Sequence, residues 1–233
     1  MAVLFAVTGP ASLLHPARAS ALPGCSTNQQ IFVRSSSDVD NTNGSTNKIL
    51  TGGSLADNCR AILVGTAHTS RTGIDNASGW GDWVETGFYK KRNDDGSVDL
   101  CRFTEWGTDY NVISLNLGCG APLSNGTYAK WRVSSIQGTE DWKMLVDYLG
   151  GNGFIDEATA HVTWAHAVAS GETERWGTDT DMSQSQRELQ FKNNSNNWVD
   201  WPDANCIYDN SGGYSWRKNS ATSYDVVAQS NPC

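Results

Sequence analysis

The sequence predicts an all-β protein, a single antiparallel β-sandwich or jelly roll with long loops and disulfide bonds. Three observations predict it. Short runs alternate apolar with polar residues, as in Ala129, Trp131 and Val133 against Lys130, Arg132 and Ser134. Turn signals recur about every ten residues. No stretch shows a convincing helical period, an internal repeat or a linker that would divide the chain, and 233 residues suit one large β domain.

Taken in order, residues 35–54 are rich in Asn, Ser, Thr and Gly and read as a loop or mobile N-terminal arm. Ala61-Ile62-Leu63-Val64 suits a buried strand, and 69–79 reads as a second polar loop. Trp83 to Lys90 alternates and reads as a strand with Glu85 at its middle. Asn93-Asp94-Asp95-Gly96 is a hairpin signal, because Asp-Gly supplies the positive-φ position, and 98–106 is the returning partner. Ile113, Leu115 and Leu117 mark a half-buried strand, and Ser124-Asn125-Gly126 a turn. The strand at Ala129–Val133 follows, and then Trp142, Met144, Val146 and Tyr148 share one face. Residues 156–168 would tolerate a helix, but Val162, Trp164, His166 and Val168 share a strand face, and a strand is expected. Leu189 with Phe191, and 224–227, mark the last strands. Trp80, Trp198 and Trp201 stand in polar company and are expected at the surface.

The expected organisation is a signal peptide over 1–21, a loop-rich arm over 22–58 and the sandwich over 59–233. Ala2 to Leu14 is mostly apolar and too short to span a bilayer. It is followed by the small-x-small sites Ala17-Arg18-Ala19 and Ala19-Ser20-Ala21, although no Lys or Arg precedes it. Cys25, Cys59, Cys101, Cys119, Cys206 and Cys233 are an even set in a chain expected to be secreted and extracellular, which points to disulfides. Many pairings are open; the preferred ones join sequence neighbours, 25 with 59, 101 with 119 and 206 with 233. A net charge of −8 without a basic cluster argues against nucleic acid. The expected partner is an extracellular peptide or polysaccharide, with no membrane contact after signal removal, no cofactor, and a monomeric state.

The chemistry centres on carboxylates. Glu85 shares a strand face with Trp83 and Gly87, and Glu172 and Glu174 share one with Trp176. Trp83-Val84-Glu85-Thr86-Gly87-Phe88, Phe103-Thr104-Glu105-Trp106, Gly126-Thr127-Tyr128 with Trp142, and Gly171-Glu172-Thr173-Glu174-Arg175 resemble a group of uncharacterised secreted bacterial β-sandwich proteins. In the same order they more distantly resemble the neprosin-type glutamic peptidases. That resemblance spans about residues 60–230. It implies two catalytic glutamates on facing strands of one sheet. One stands in an apolar-Glu-x-Gly-aromatic segment, which Glu85 matches. The other stands in a Gly-Gly-Glu segment, which Ser170-Gly171-Glu172 matches in part. Ser170 replaces the first Gly, and Glu174 is the alternative counterpart. Trp83, Trp176 and Trp106 are the expected substrate-binding aromatics.

Paired glutamates in a Trp-lined groove also suit a glycoside hydrolase, and the tryptophans alone suit a non-catalytic carbohydrate- or surface-binding module. Thr66-Ala67-His68-Thr69 and Asp209-Asn210-Ser211-Gly212-Gly213 are similar to the histidine and serine segments of trypsin-like proteases. The serine segment lacks the Gly two residues before Ser211, so a His68–Ser211 couple is not expected. His161 and His166 fall on opposite strand faces, and no metal site is expected, though Asp179 and Asp181 could hold a structural Ca²⁺. Asn43, Asn76, Asn125 and Asn193 begin N-x-Ser/Thr sequons.

Overall fold

A computed structural model describes residues 30–37, 39, 41–51, 67–76, 83–92, 95, 97–108, 111–124, 126–149, 151, 153–162, 167–176, 184–209 and 214–228. They form fifteen strands, in chain order β1 Gln30–Ser36, β2 Gly44–Thr51, β3 Ala67–Asn76, β4 Trp83–Arg92, β5 Val98–Thr108, β6 Asn111–Cys119, β7 Thr127–Ser135 and β8 Asp141–Asp147. They continue as β9 Ile155–His161, β10 Ala167–Trp176, β11 Gln184–Lys192, β12 Trp198–Asp200, β13 Asn205–Asp209, β14 Tyr214–Ser220 and β15 Ser223–Ala228. A seven-stranded antiparallel sheet runs β13-β1-β10-β3-β4-β5-β6, and an eight-stranded sheet runs β14-β15-β11-β2-β7-β8-β9 with β12 on β11. This is the β-sandwich read from the alternating pattern.

The alternation decides what lies between the sheets. Val84 and Phe88 of β4 are fully buried, as are Trp131 and Val133 of β7 and Met144 and Val146 of β8. These interdigitate in two adjoining clusters, one around Val84, Met144, Leu189 and Tyr224, the other around Ile49, Phe88 and Trp131. A half-buried hydrogen-bonded group joins the sheets at one end. Arg102 of β5 donates from Nη1 to Glu157 of β9 (3.0 Å) and also bonds the Tyr148 hydroxyl, which itself donates to Glu157 (2.6 Å). Burial first, then the Glu157 bond, pushes the Tyr148 phenol up to about 12.

Several local expectations differ from the structure. The stretch read as a loop-rich arm contains β1 and β2, each paired on both sides inside a sheet. The polar segment 69–79 falls largely in β3, a central strand. Hydrogen-bonded neighbours on both sides override a sequence with few β-formers. Trp201 is buried in the core rather than at the surface, and Trp198 is half-buried against Arg132. Ile113 and Leu115 lie on the edge strand β6 and stay exposed. Within 156–168, where a strand was expected, residues 156–161 lie in β9 and 167–168 in β10. Trp80, the 61–64 run and the N-terminal segment lie outside the described residues.

β11 carries a bulge. Arg187 pairs with Lys48 and Gln190 with Thr46, so Glu188 and Leu189 together stand opposite Asn47. Glu188 takes a left-handed φ of 51°, and its carboxylate pairs with Lys48 (2.6 Å) and Lys130 (3.3 Å). The bulge turns Leu189 into the core.

Cys101 and Cys119 are directly opposed on β5 and β6 and form a disulfide, with Cα atoms 3.9 Å apart. Cys206 is also disulfide-bonded; Cys25, Cys59 and Cys233 lie outside the described residues. Replacing Cys101 and Cys119 together by Ser removes a constraint on the unfolded chain and should lower the unfolding free energy by about 3 kcal/mol in urea denaturation.

Asp225 of β15 accepts from Arg187 (2.7 Å) and Arg217 (2.8 Å). Burial alone would raise its carboxyl, but hydrogen bonds from Arg217, Asn219, Arg187 and Ser185 outweigh it and hold it at about 2. A depressed pKa contributes stability above the unfolded value of about 3.9, and that contribution disappears as pH falls toward 2. The urea midpoint of Asp225→Asn should therefore fall less than that of the wild type between about pH 5 and pH 2.5.

Candidate active site

Glu85 is 5% exposed, yet it does not belong to the core between the sheets. Val84, Thr86 and Phe88 occupy the inner face of β4, so Glu85 stands on the outer face with Trp83, Gly87 and Tyr89. Directly across lie Gly73 on β3 and Glu105 on β5. Gly73 in turn pairs with Ser170 of β10. Two positions along, Gly87 pairs with Arg71, and Arg71 with Glu172. Glutamates 85 and 172 therefore hold register positions on one face, separated by one intervening strand and two residues. Spacings of about 4.8 Å between strands and 3.4 Å per residue place their Cα atoms about 12 Å apart.

Glu174 holds the same face but pairs with Thr69, which pairs with Tyr89, four positions beyond Glu85. The same spacings put it about 17 Å from Glu85. The register thus separates two glutamates that the sequence left equivalent. Glu172 is also flanked by Arg34 on β1 and Arg71 on β3.

The three expected aromatics part company. Trp83 is next but one to Glu85 on the same face and pairs with Asp75 and Gly107. Trp176 holds the same face but ends β10, opposite Gln30 and Ala67. It therefore stands at the other end of the sheet from Trp83. Trp106 pairs with Val84 and packs against the core, so it lies on the inner face, away from Glu85. Phe103 takes the aromatic position there instead: it is buried opposite Gly87, with its ring centroid 6.2 Å from that of Tyr89.

Glu105 and the flanking arginines are the residues that sequence reasoning passed over. A signal for Glu105 existed. The Asp-Gly hairpin centres on Asp95, and a turn there makes residues equidistant from it partners. Arg34 and Arg71 had no such signal, since their strands lie far from β10 in sequence.

Other candidates do not assemble. His68 pairs with Lys90 and Arg175, on the face opposite Glu85, and Ser211 lies outside the described residues. Asp179, Asp181 and His166 also lie outside them. His161 is exposed between Glu140 (3.3 Å) and Asp141 (3.0 Å). Asp99 stands beside Cys101 and Cys119, but the disulfide removes both thiolates as ligands. A cavity of about 460 Å³ opens among Asn41, Gln137, Thr139 and Asn196 at the end of the eight-stranded sheet. None of its lining residues belongs to the seven-stranded sheet, so it takes no part in the glutamate face.

The sequence matches no protein-family model and no curated protein. Among solved structures it is similar in fold to scytalido-glutamic peptidase. A complex of that peptidase with a peptide-based transition-state analogue superposes with a TM-score of 0.54 at 13% identity, covering 91% of this chain and all of the peptidase. A second complex, with a transition-state analogue inhibitor, gives a TM-score of 0.52 at 14% identity over the same shares. The chain thus has a glutamic-peptidase-like fold, and its distant likeness to glutamic peptidases is structural.

The inner position of Trp106 yields a test: Trp106→Ala should cost about 3 kcal/mol of stability through lost core packing, read from urea denaturation.

Proposed function

We propose that the protein is an exported hydrolase that cleaves peptide bonds with Glu85 and Glu172. The observation that carries this reading is a buried carboxylate, Glu85, on the outer face of a sheet whose register places Glu172 on the same face. The glutamic-peptidase-like fold supports peptide as the substrate. The disulfides of Cys101–Cys119 and Cys206 support export, since such bonds persist in oxidising compartments.

The neighbours divide the labour. Glu85, the buried carboxylate of the pair, takes the role of the acid in this reading. Glu172, opposed in register by Arg34 and Arg71, takes the role of the base. Glu172 takes a proton from water as the water oxygen bonds to the peptide carbonyl carbon. Glu85 protonates the departing amide nitrogen as the C–N bond breaks. Gly73 and Gly87 carry no side chain beside Glu85. Trp83 is the aromatic wall nearest to Glu85 along β4.

The test is a cleavage assay on a denatured protein pool across acid to neutral pH, run beside a polysaccharide panel. Glu85→Gln and Glu172→Gln should each lower kcat/KM by about 10²–10⁴-fold. Glu85→Gln keeps the shape of the side chain and should leave the thermal midpoint nearly unchanged. Glu174→Gln should retain activity within about tenfold, as its register position lies farther from Glu85. Wild-type rates in both Glu85→Gln and Glu172→Gln would reject the pair, and cleavage confined to polysaccharide would transfer it to glycoside hydrolysis.

A further inference from the structure

The outer face of the eight-stranded sheet carries a cationic site that the glutamate chemistry does not use. Arg132 lies on β7 between Trp131 and Val133, both turned into the core, so its side chain stands on the outer face. Its guanidinium carbon is 3.7 Å from the Phe154 ring centre and 4.4 Å from that of Trp198. Trp198 reaches this position because β12 pairs Trp198 with Lys192 and because Gly44 lies beneath it. A Cβ on Gly44 would stand 2.9 Å from the Trp198 ring and 2.6 Å from the Val133 carbonyl oxygen. Lys192 stands beside Arg132 and donates from Nζ to Ser134 Oγ (3.1 Å) and the Ser135 carbonyl (3.4 Å).

The neighbouring cations on this sheet are committed to carboxylates. Lys48 and Lys130 meet Glu188, Lys143 meets Asp156, and Arg187 meets Asp225. Arg132 and Lys192 meet none among the described residues, in a chain whose net charge is −8. Arg132 makes no hydrogen bond among them either, and its Nε is buried without a partner. Burial pushes its pKa down to about 10, and burial together with the Arg132 charge lowers that of Lys192. Two crowded cations without a counter-ion are costly unless something anionic joins them.

We propose that Arg132 and Lys192 form a binding site for a carboxylate ligand, walled by Phe154 and Trp198. The guanidinium is a planar fork whose unspent N–H edge matches the two oxygens of a carboxylate, and the rings hold that plane in place. The adjacent ammonium adds a second charge to the same anion. A peptide C-terminus and a uronic acid both supply this chemistry. The site lies on the sheet opposite Glu85 and does not depend on hydrolysis.

The experiment follows the Arg132 Nε–H resonance by NMR in the full chain, assigned with Arg132→Lys, during titration with N-acetylglycine and, separately, galacturonate. The resonance should shift saturably with at least one acid and stay still with N-acetylglycinamide and galactose; the acid that binds names the source. Affinity measured by calorimetry should fall about tenfold or more in Arg132→Lys, which keeps the charge and loses the fork, and fall also in Lys192→Gln. No shift with either acid would overturn the proposal. Equal response to sulfate and phosphate, or wild-type affinity in Arg132→Lys, would do the same.

Discussion

The burial of Val84 and Phe88 between the sheets is the constraint from which the candidate site follows. Both side chains are fully enclosed, and a strand alternates strictly, so Glu85 between them is turned to the opposite face. A slip of one residue in β4 would carry Glu85 into the apolar core and Phe88 out of it. The carboxylate is nevertheless only 5% exposed on that face. The same alternation in β5 sends Trp106 inward and Phe103 outward, which exchanges the aromatic expected near Glu85 for another.

The two sheets treat charge differently. Between them, Arg102 is spent on Glu157, Tyr148 and the Leu117 carbonyl, a set that pins β5 to β9 although its Nε is buried without a partner. On the eight-stranded sheet most cations are neutralised by carboxylates of the same face, down to the strained Glu188 of the β11 bulge. Arg132 departs from that pattern and is held by aromatic rings instead. On the seven-stranded sheet the carboxylates carry the interest, and Glu172 stands between two arginines in register. A sandwich with two outer faces thus presents two chemically distinct surfaces from one alternating code.

Much of the local structure was legible. The Asp95-centred hairpin, the strands around Trp131 and Met144, and the pairing of Cys101 with Cys119 all follow from patterns within a few residues. The central strands β2 and β3 were not legible. Gly44–Thr51 and Ala67–Asn76 are polar, Gly- and Thr-containing segments that look like loops in isolation. Their strand character comes from ladder partners distant in the chain, and a ladder satisfies backbone groups whatever the side chains. The same reason hid the burial of Trp201, whose polar neighbours say nothing about the core that reaches it.

By itself the sequence determined the fold class, the strand face of each glutamate relative to its neighbours, and the hairpin that opposes Glu85 to Glu105, because each depends on a period of two or on one turn. Only the tertiary structure decided which strands lie side by side. That order, β1-β10-β3-β4, places Glu172 nearer than Glu174 to Glu85 in register and opposes it to Arg34 and Arg71. It equally decided that Phe154 and Trp198, from separate segments, close on Arg132. Pairing between strands far apart in the chain is settled by the mutual packing of two whole sheets, and no local pattern of residues encodes it.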